Sequence, residues 1–306
     1  MAAYLGRRTL QLIPTLLGIT IIVFLLINLT PGCPAMLMLG EFATPVEVER
    51  LRGLMGLDAP LHLRYFRWIG GIVTGDWGQS YTDKRQVLPA LISRMPATIE
   101  LVLASMVISA GLGVFVGVVS AVHQDTWVDN LVRGGSFLGL SMPNFWLGIM
   151  LILLLSLHLR LLPASGRNGL ANMVMPAIAL GTSGMAVITR ITRSTMLEVI
   201  RKDFIRTARS KGLYERTVIY KHALKPALTS VLTVIGLQLG FRLGGTVIIE
   251  TVFAWPGIGR FAFLRMMQRD YPMIMGNLLI FAGLFCLVNL IVDTLYAVVD
   301  PRIRYS

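Results

Sequence analysis

The chain has 306 residues, 55% hydrophobic and only 14% charged, against roughly 25% charged in a soluble domain. Its formal charge is +12, but the basic residues sit beside apolar runs without interleaved aromatics, which points to a membrane surface and a partner protein and excludes nucleic acid. Two cysteines, Cys33 and Cys286, make no disulfide framework and have no second ligand at metal-binding spacing.

In chain order, Arg7-Arg8 precedes an apolar stretch over 10–29. At about 20 residues it exceeds the 7–15 of a signal peptide, and no A-x-A site follows, so it reads as a retained first span. Five more stretches reach the roughly 17–25 residues that a ~30 Å hydrocarbon core requires, near 98–121, 135–158, 175–192, 227–251 and 273–297. The third contains Pro143 and should kink. The fourth is diluted by Gly181, Thr182, Ser183 and Gly184. The expected fold is an all-α integral membrane protein with six transmembrane helices. Both termini fall on the basic, cytoplasmic side, with 300–306 as a tail.

Residues 30–97 form the expected external loop, and it is patterned. Thr44-Pro45 with Glu47 is a capping-box start, and Gly56 can close that helix. Leu61, Tyr65, Trp68, Ile69 and Ile72 then share one helical face. Gly75-Asp76-Trp77-Gly78 reads as a turn. The remaining core, 98–299, holds five spans. Gly113 and Gly117 in the second, and Gly236, Gly240 and Gly244 in the fifth, make small-residue ridges for close helix approach.

Residues 190–226 carry ten Lys and Arg against three Asp and Glu. The order Arg206-Thr207-Ala208, Gly212, then His222 to Pro226 predicts helix, sharp turn, short helix and the start of the next span. Such a basic knob suits a groove in a soluble partner. Arg242 lies deep in the fifth span, where an arginine costs roughly 2.5–3.5 kcal/mol and must face protein or water. Its position, about 200° from the glycine ridge, points to a substrate path; the alternatives are an ion pair with Glu100 or snorkelling to the interface.

No nucleotide-binding loop, H-E-x-x-H pair or G-x-S-x-G elbow is present, and His62, His123, His158 and His222 are scattered. Any energy for work comes from elsewhere. At this point the loop resembles the signature of binding-protein-dependent ABC importer permeases (E-A-A, three residues, then G, with I-x-L-P further on). Arg206, Thr207 and Ala208 stand at the E-A-A positions, Gly212 at the glycine, and His222 and Leu224 at the I and L, with Pro226 one residue late. The resemblance is closest to B-type subunits of the dipeptide, oligopeptide and nickel branch and runs from Leu5 to Tyr305. Its hallmarks are 204–212, 250–259 (with Glu250, Trp255, Pro256, Gly257 and Gly259), Arg269-Asp270-Tyr271-Pro272, Asn289 to Asp293, and Asp300-Pro301-Arg302. One departure is Cys33, where the family usually carries Asp.

The resemblance implies a type I importer fold. It also implies a homologous C-type permease partner, two cytoplasmic ATPase subunits and an extracytoplasmic binding protein, in the bacterial or archaeal plasma membrane. ATP and Mg2+ would be used by those partners, with no cofactor on this chain. Di- or oligopeptide import is the expected function; nickel or a metal chelate, glutathione or another small solute are alternatives within the same machine. A stand-alone channel or carrier should show ionisable residues in several spans, yet only Arg242 sits deep. An intramembrane enzyme needs a facing nucleophile and base, and none stands out.

Overall fold

The computed structural model describes residues 2–29, 36, 44–54 and 56–299. Cys33, the Asp300-Pro301-Arg302 hallmark and the expected 300–306 tail lie outside the described residues. Among the described residues the regular structure is helical, with one isolated antiparallel bridge between Gln79 and Gln86. Five helical stretches among the described residues are long and apolar enough to cross a membrane: Arg8–Leu29, Val87–Val122, Leu170–Ile200, Glu215–Val252 and Tyr271–Thr294. A bent pair brings the total to six if it counts as one span.

That pair lies at the expected third span and is bent far more sharply than a proline kink. Helix α6 (Trp127–Ser141) and helix α7 (Asn144–Leu151), which continues as a π-helical stretch Ile152–His158, meet at 103°. The cause is local. Pro143 excludes its predecessor from helical dihedrals, and Met142 accordingly sits at φ −80°, ψ 125°. The chain breaks there instead of kinking.

The other helices are α1 (Ala2–Leu29), α2 (Pro45–Leu54), α3 (Leu61–Thr74), α4 (Val87–Ile92), α5 (Met95–Val122), α8 (Leu170–Ile200), α9 (Asp203–Ser210), α10 (Glu215–Thr217), α11 (Leu224–Val252), α12 (Ile258–Met267) and α13 (Tyr271–Val299). They fold into two compact units. One comprises 97–256 and the chain from 288 onward, the other 2–96 and 257–287. The second unit is discontinuous in sequence.

In the first unit, α8 is the central element. Its Gly181–Gly184 stretch, which made it the least apolar span, is what lets neighbours close in. A Cβ on Gly113 of α5 would come within 2.9 Å of the Ile188 side chain, and one on Gly117 within 2.6 Å of Thr192. The α5 ridge therefore packs as expected. On α11 the expected ridge is interrupted, because Gly244 has nothing within 4 Å of its Cβ position. One apolar cluster gathers Leu101, Met175, Leu180, Ile249, Phe253 and Trp255; a second gathers Val118, Met196, Ile205, Val218, Ile219 and Ala227. Leu103, Val107, Phe115 and Phe241 face outward, as residues against lipid do.

In the second unit the expected capping box forms. The Thr44 amide and hydroxyl donate to Glu47 Oε2 at 2.9 and 2.7 Å, and these bonds hold the Glu47 carboxyl below its usual pKa. Tyr65 and Trp68 of α3 pack on Val23 and Phe24 of α1, and Thr20 hydrogen-bonds the Tyr65 hydroxyl at 2.9 Å. The turn expected at 75–78 is present, with Asp76 accepting the Gly78 amide at 3.0 Å. Residues 44–54 and 56–92 are thus structured and helix-bearing.

Candidate functional site

The basic segment folds as a knob between two long helices. After α8 ends at Ile200, Lys202 adopts an extended conformation and α9 starts, with Asp203 in its first turn and Arg209 in its last, each matching the helix dipole. Gly212 then turns the chain at φ +73°, a conformation that costs other residues roughly 1–2 kcal/mol. Arg209 and Glu215 close the turn with contacts of 2.6 and 3.2 Å, which raise the Arg209 pKa. The short α10 passes through a π-helical stretch, Val218–Ala223, into α11.

Burial divides the knob into two faces. Ile205, Ala208, Val218 and Ile219 point inward against Val118, Ala121 and Met196, with Leu224 half-buried beside them. Arg206, Thr207, Gly212 and Pro226 are exposed, and His222 is half-buried. The outer face also carries Tyr214 at 86% exposure and Phe204 at 48%. It combines cations with aromatic surface, the composition of an anchor for another protein. Ala208 and Leu224 are thus brought together in the base; Arg206 and Thr207 lie on the outside.

Arg242 differs from the expected path-facing residue. It is 4% exposed and enclosed by helices of its own unit. Its guanidinium donates to Ser105 Oγ at 2.9 Å, Ser109 Oγ at 2.5 Å and the Leu180 carbonyl at 3.2 Å. It lies against Gly184, where any Cβ would collide with Nη2. Neither structural alternative holds as stated, because Glu100 pairs with Arg167 at 2.5 Å and the arginine does not reach out. Among the described residues its hydrogen bonds go to hydroxyl and carbonyl oxygens, a joint between α5, α8 and α11.

The 250–259 segment ends α11 and leads into α12. Glu250 is fully buried and accepts from Thr98 Oγ1 at 2.5 Å. Trp255, also fully buried, donates its indole N–H to the Ala97 carbonyl at 2.8 Å. Between them Ala254 takes φ +49°. Pro256 is exposed, while Gly257 and Gly259 are buried at the start of α12.

Asp270, in the second unit, is fully buried and organises the 78–86 hairpin. It accepts from Ser80 Oγ at 2.5 Å, Thr82 Oγ1 at 2.8 Å and the Tyr81 amide at 3.0 Å. Arg265 lies 3.2 Å from Asp270 and 2.6 Å from Asp83. Burial alone would raise the Asp83 carboxyl, but hydrogen bonds from Arg265, Ser80 and the Arg85 amide pull it down to about 2. Asp293 lies half-buried in α13.

A long helical core interrupted by a Gly-pivoted basic knob is the arrangement to compare with known proteins. Residues 113–305 match the family described as binding-protein-dependent transport system inner membrane component, and residues 1–102 match its N-terminal counterpart. The chain belongs to this family. It is 42% identical to the dipeptide transport system permease protein DppB of Alkalihalophilus pseudofirmus and 41% identical to the oligopeptide transport system permease protein AppB of Bacillus subtilis. It is 40% identical to the glutathione transport system permease protein GsiC of Salmonella paratyphi A. Each match covers both chains completely. The fold is similar to that of a MetNI methionine ABC transporter chain, with a TM-score of 0.55 at 18% identity over 69% of this chain and 96% of that one.

The chain is therefore a multi-pass permease subunit of an ABC importer, not an enzyme, with ATP hydrolysis in a separate subunit. Sequence reading overlooked several groups that organise this permease. Ser105 and Ser109, Arg265 with Asp83, and the pair Asp129–Arg193 are all joined to partners far away in the chain. The one available signal was Asp129 itself, a carboxylate in the first turn of an apolar helix.

Proposed function

We propose that this permease imports di- and oligopeptides, pairing with a homologous C-type subunit and two cytoplasmic ATPases that consume ATP and Mg2+. An extracytoplasmic binding protein presents the substrate on the face that bears residues 44–92. The observation that carries this reading is the knob: its inner face is locked to α5 and α8, and its outer face offers exposed Arg206, Lys211 and Tyr214. A groove on an ATPase that grips Arg206, Thr207 and Tyr214 moves α8 and α11 together, because both helices enter the knob directly. That motion reaches the Arg242 joint, where the same two helices meet α5. The peptide assignment rests on relatives whose printed names are dipeptide and oligopeptide permeases.

The test is uptake of a labelled dipeptide into proteoliposomes holding the assembled transporter, with and without ATP and the binding protein. Accumulation requires both. Equal uptake without ATP would sink the importer reading in favour of a self-sufficient carrier. Glutathione is the second reading, favoured by the end-to-end match to a glutathione permease. Inhibition of dipeptide uptake by excess glutathione, with glutathione itself accumulated faster, selects it.

A further inference from the structure

A cleft of about 350 Å³ opens between α6 and the C-terminal third of α8, away from Arg242 and from the knob's outer face. Three arginines line it, Arg133, Arg190 and Arg193. Arg193 is held by Asp129, whereas Arg133 and Arg190 are exposed and in no ion pair among the described residues. Thr189 also lines the cleft, and its hydroxyl is buried without a hydrogen-bond partner. The remaining wall is apolar, with Phe137 at 70% exposure and Leu140 at 38%.

The depth of the cleft narrows the choice of ligand. Helix α8 starts at Leu170, and twenty residues at 1.5 Å each cover the ~30 Å hydrocarbon core. Position 190 then falls at the far hydrocarbon boundary, the level of lipid phosphates. We propose that this cleft binds the headgroup of an anionic phospholipid. Arg133 and Arg190 hold the phosphodiester, and an acyl chain lies along Phe137 and Leu140. A peptide carboxylate needs only one arginine fork, whereas two arginines at this level suit a phosphodiester.

The experiment is native mass spectrometry of the assembled transporter, loaded with equal phosphatidylglycerol and phosphatidylcholine. The unaltered protein retains phosphatidylglycerol preferentially. R133Q/R190Q reduces that preference by roughly thirtyfold, from the loss of two surface-level cations. S136F, which fills the cleft while leaving every arginine in the sequence, reduces it likewise. Preference retained in either variant overturns the proposal. So does displacement of the lipid by millimolar inorganic phosphate, which would mark a free-anion site, or by a dipeptide, which would mark the cargo path.

Discussion

Arg193 grips Asp129 with two parallel contacts of 2.7 Å each, and Asp129 is completely buried. Asp129 also accepts from Ser120 Oγ at 2.5 Å and from the Asp125 amide at 3.1 Å. One carboxylate therefore ties the α5–α6 corner to α8, two turns before α8 delivers the chain to the knob. Removing one partner of a buried pair leaves the other uncompensated, at a cost of about 3 kcal/mol or more. Asp129→Asn should lower the melting temperature of the detergent-purified complex and reduce ATPase stimulation. Arg193→Lys should do the same in part, since an ammonium cannot make the two-pronged contact. A melting temperature equal to wild type for Asp129→Asn would show the pair to be dispensable.

Gly212 stands at φ +73° with open space at its Cβ position, so a substitution meets backbone strain and no collision. Gly212→Val should leave the subunit inserted while distorting the turn by roughly 1–2 kcal/mol. The expected phenotype is loss of binding-protein-stimulated ATP hydrolysis and uptake, with normal amounts of subunit in the membrane. Wild-type uptake in this variant would remove the knob from force transmission.

Arg242 and Gly184 make a paired prediction, because each needs the other's shape. Gly184→Ala places a methyl where the guanidinium lies, and Arg242→Gln strips donors from Ser105, Ser109 and the Leu180 carbonyl. Both should yield less assembled complex and a lower melting temperature. Arg242→Lys should not restore it, having one nitrogen where two now donate. Normal assembly with abolished uptake would instead place the arginine on the substrate path.

Asp83 sets an acid limit on the hairpin tied to Asp270. Its carboxyl falls from 3.8 to about 2 in the folded protein. A depressed pKa contributes stability that is complete above about 3.8 and is lost as pH falls through about 2. Amide hydrogen exchange over residues 80–85 should therefore accelerate, beyond its intrinsic pH dependence, on acidification across that window. Asp83→Asn should flatten the response. A response unchanged by this substitution would assign the acid sensitivity to another group.

The charge asymmetry predicts a topology with 30–97 outside and the knob inside. Single cysteines at Gln79 and Ser210, both exposed, should react with a membrane-impermeant maleimide from opposite sides of the bilayer. Labelling from the same side would invert or break the six-span arrangement.

What could be read along the chain is what is decided within a few residues. Apolar block length marked the spans, the Thr44–Glu47 box marked a helix start, and Gly212 marked the pivot, because hydropathy, capping and backbone dihedrals act over one or two turns. Pro143 announced a break by the same logic, but the 103° angle depended on what α6 and α7 pack against. The role of Arg242 was decided by Ser109 and Leu180, 133 and 62 positions away, and that of Asp270 by Ser80, 190 positions away. Burial cost told us that a deep arginine must find oxygen ligands, not which ones. Only the close approach of α5, α8 and α11, permitted by glycines at their contacts, buries the arginine among those oxygens.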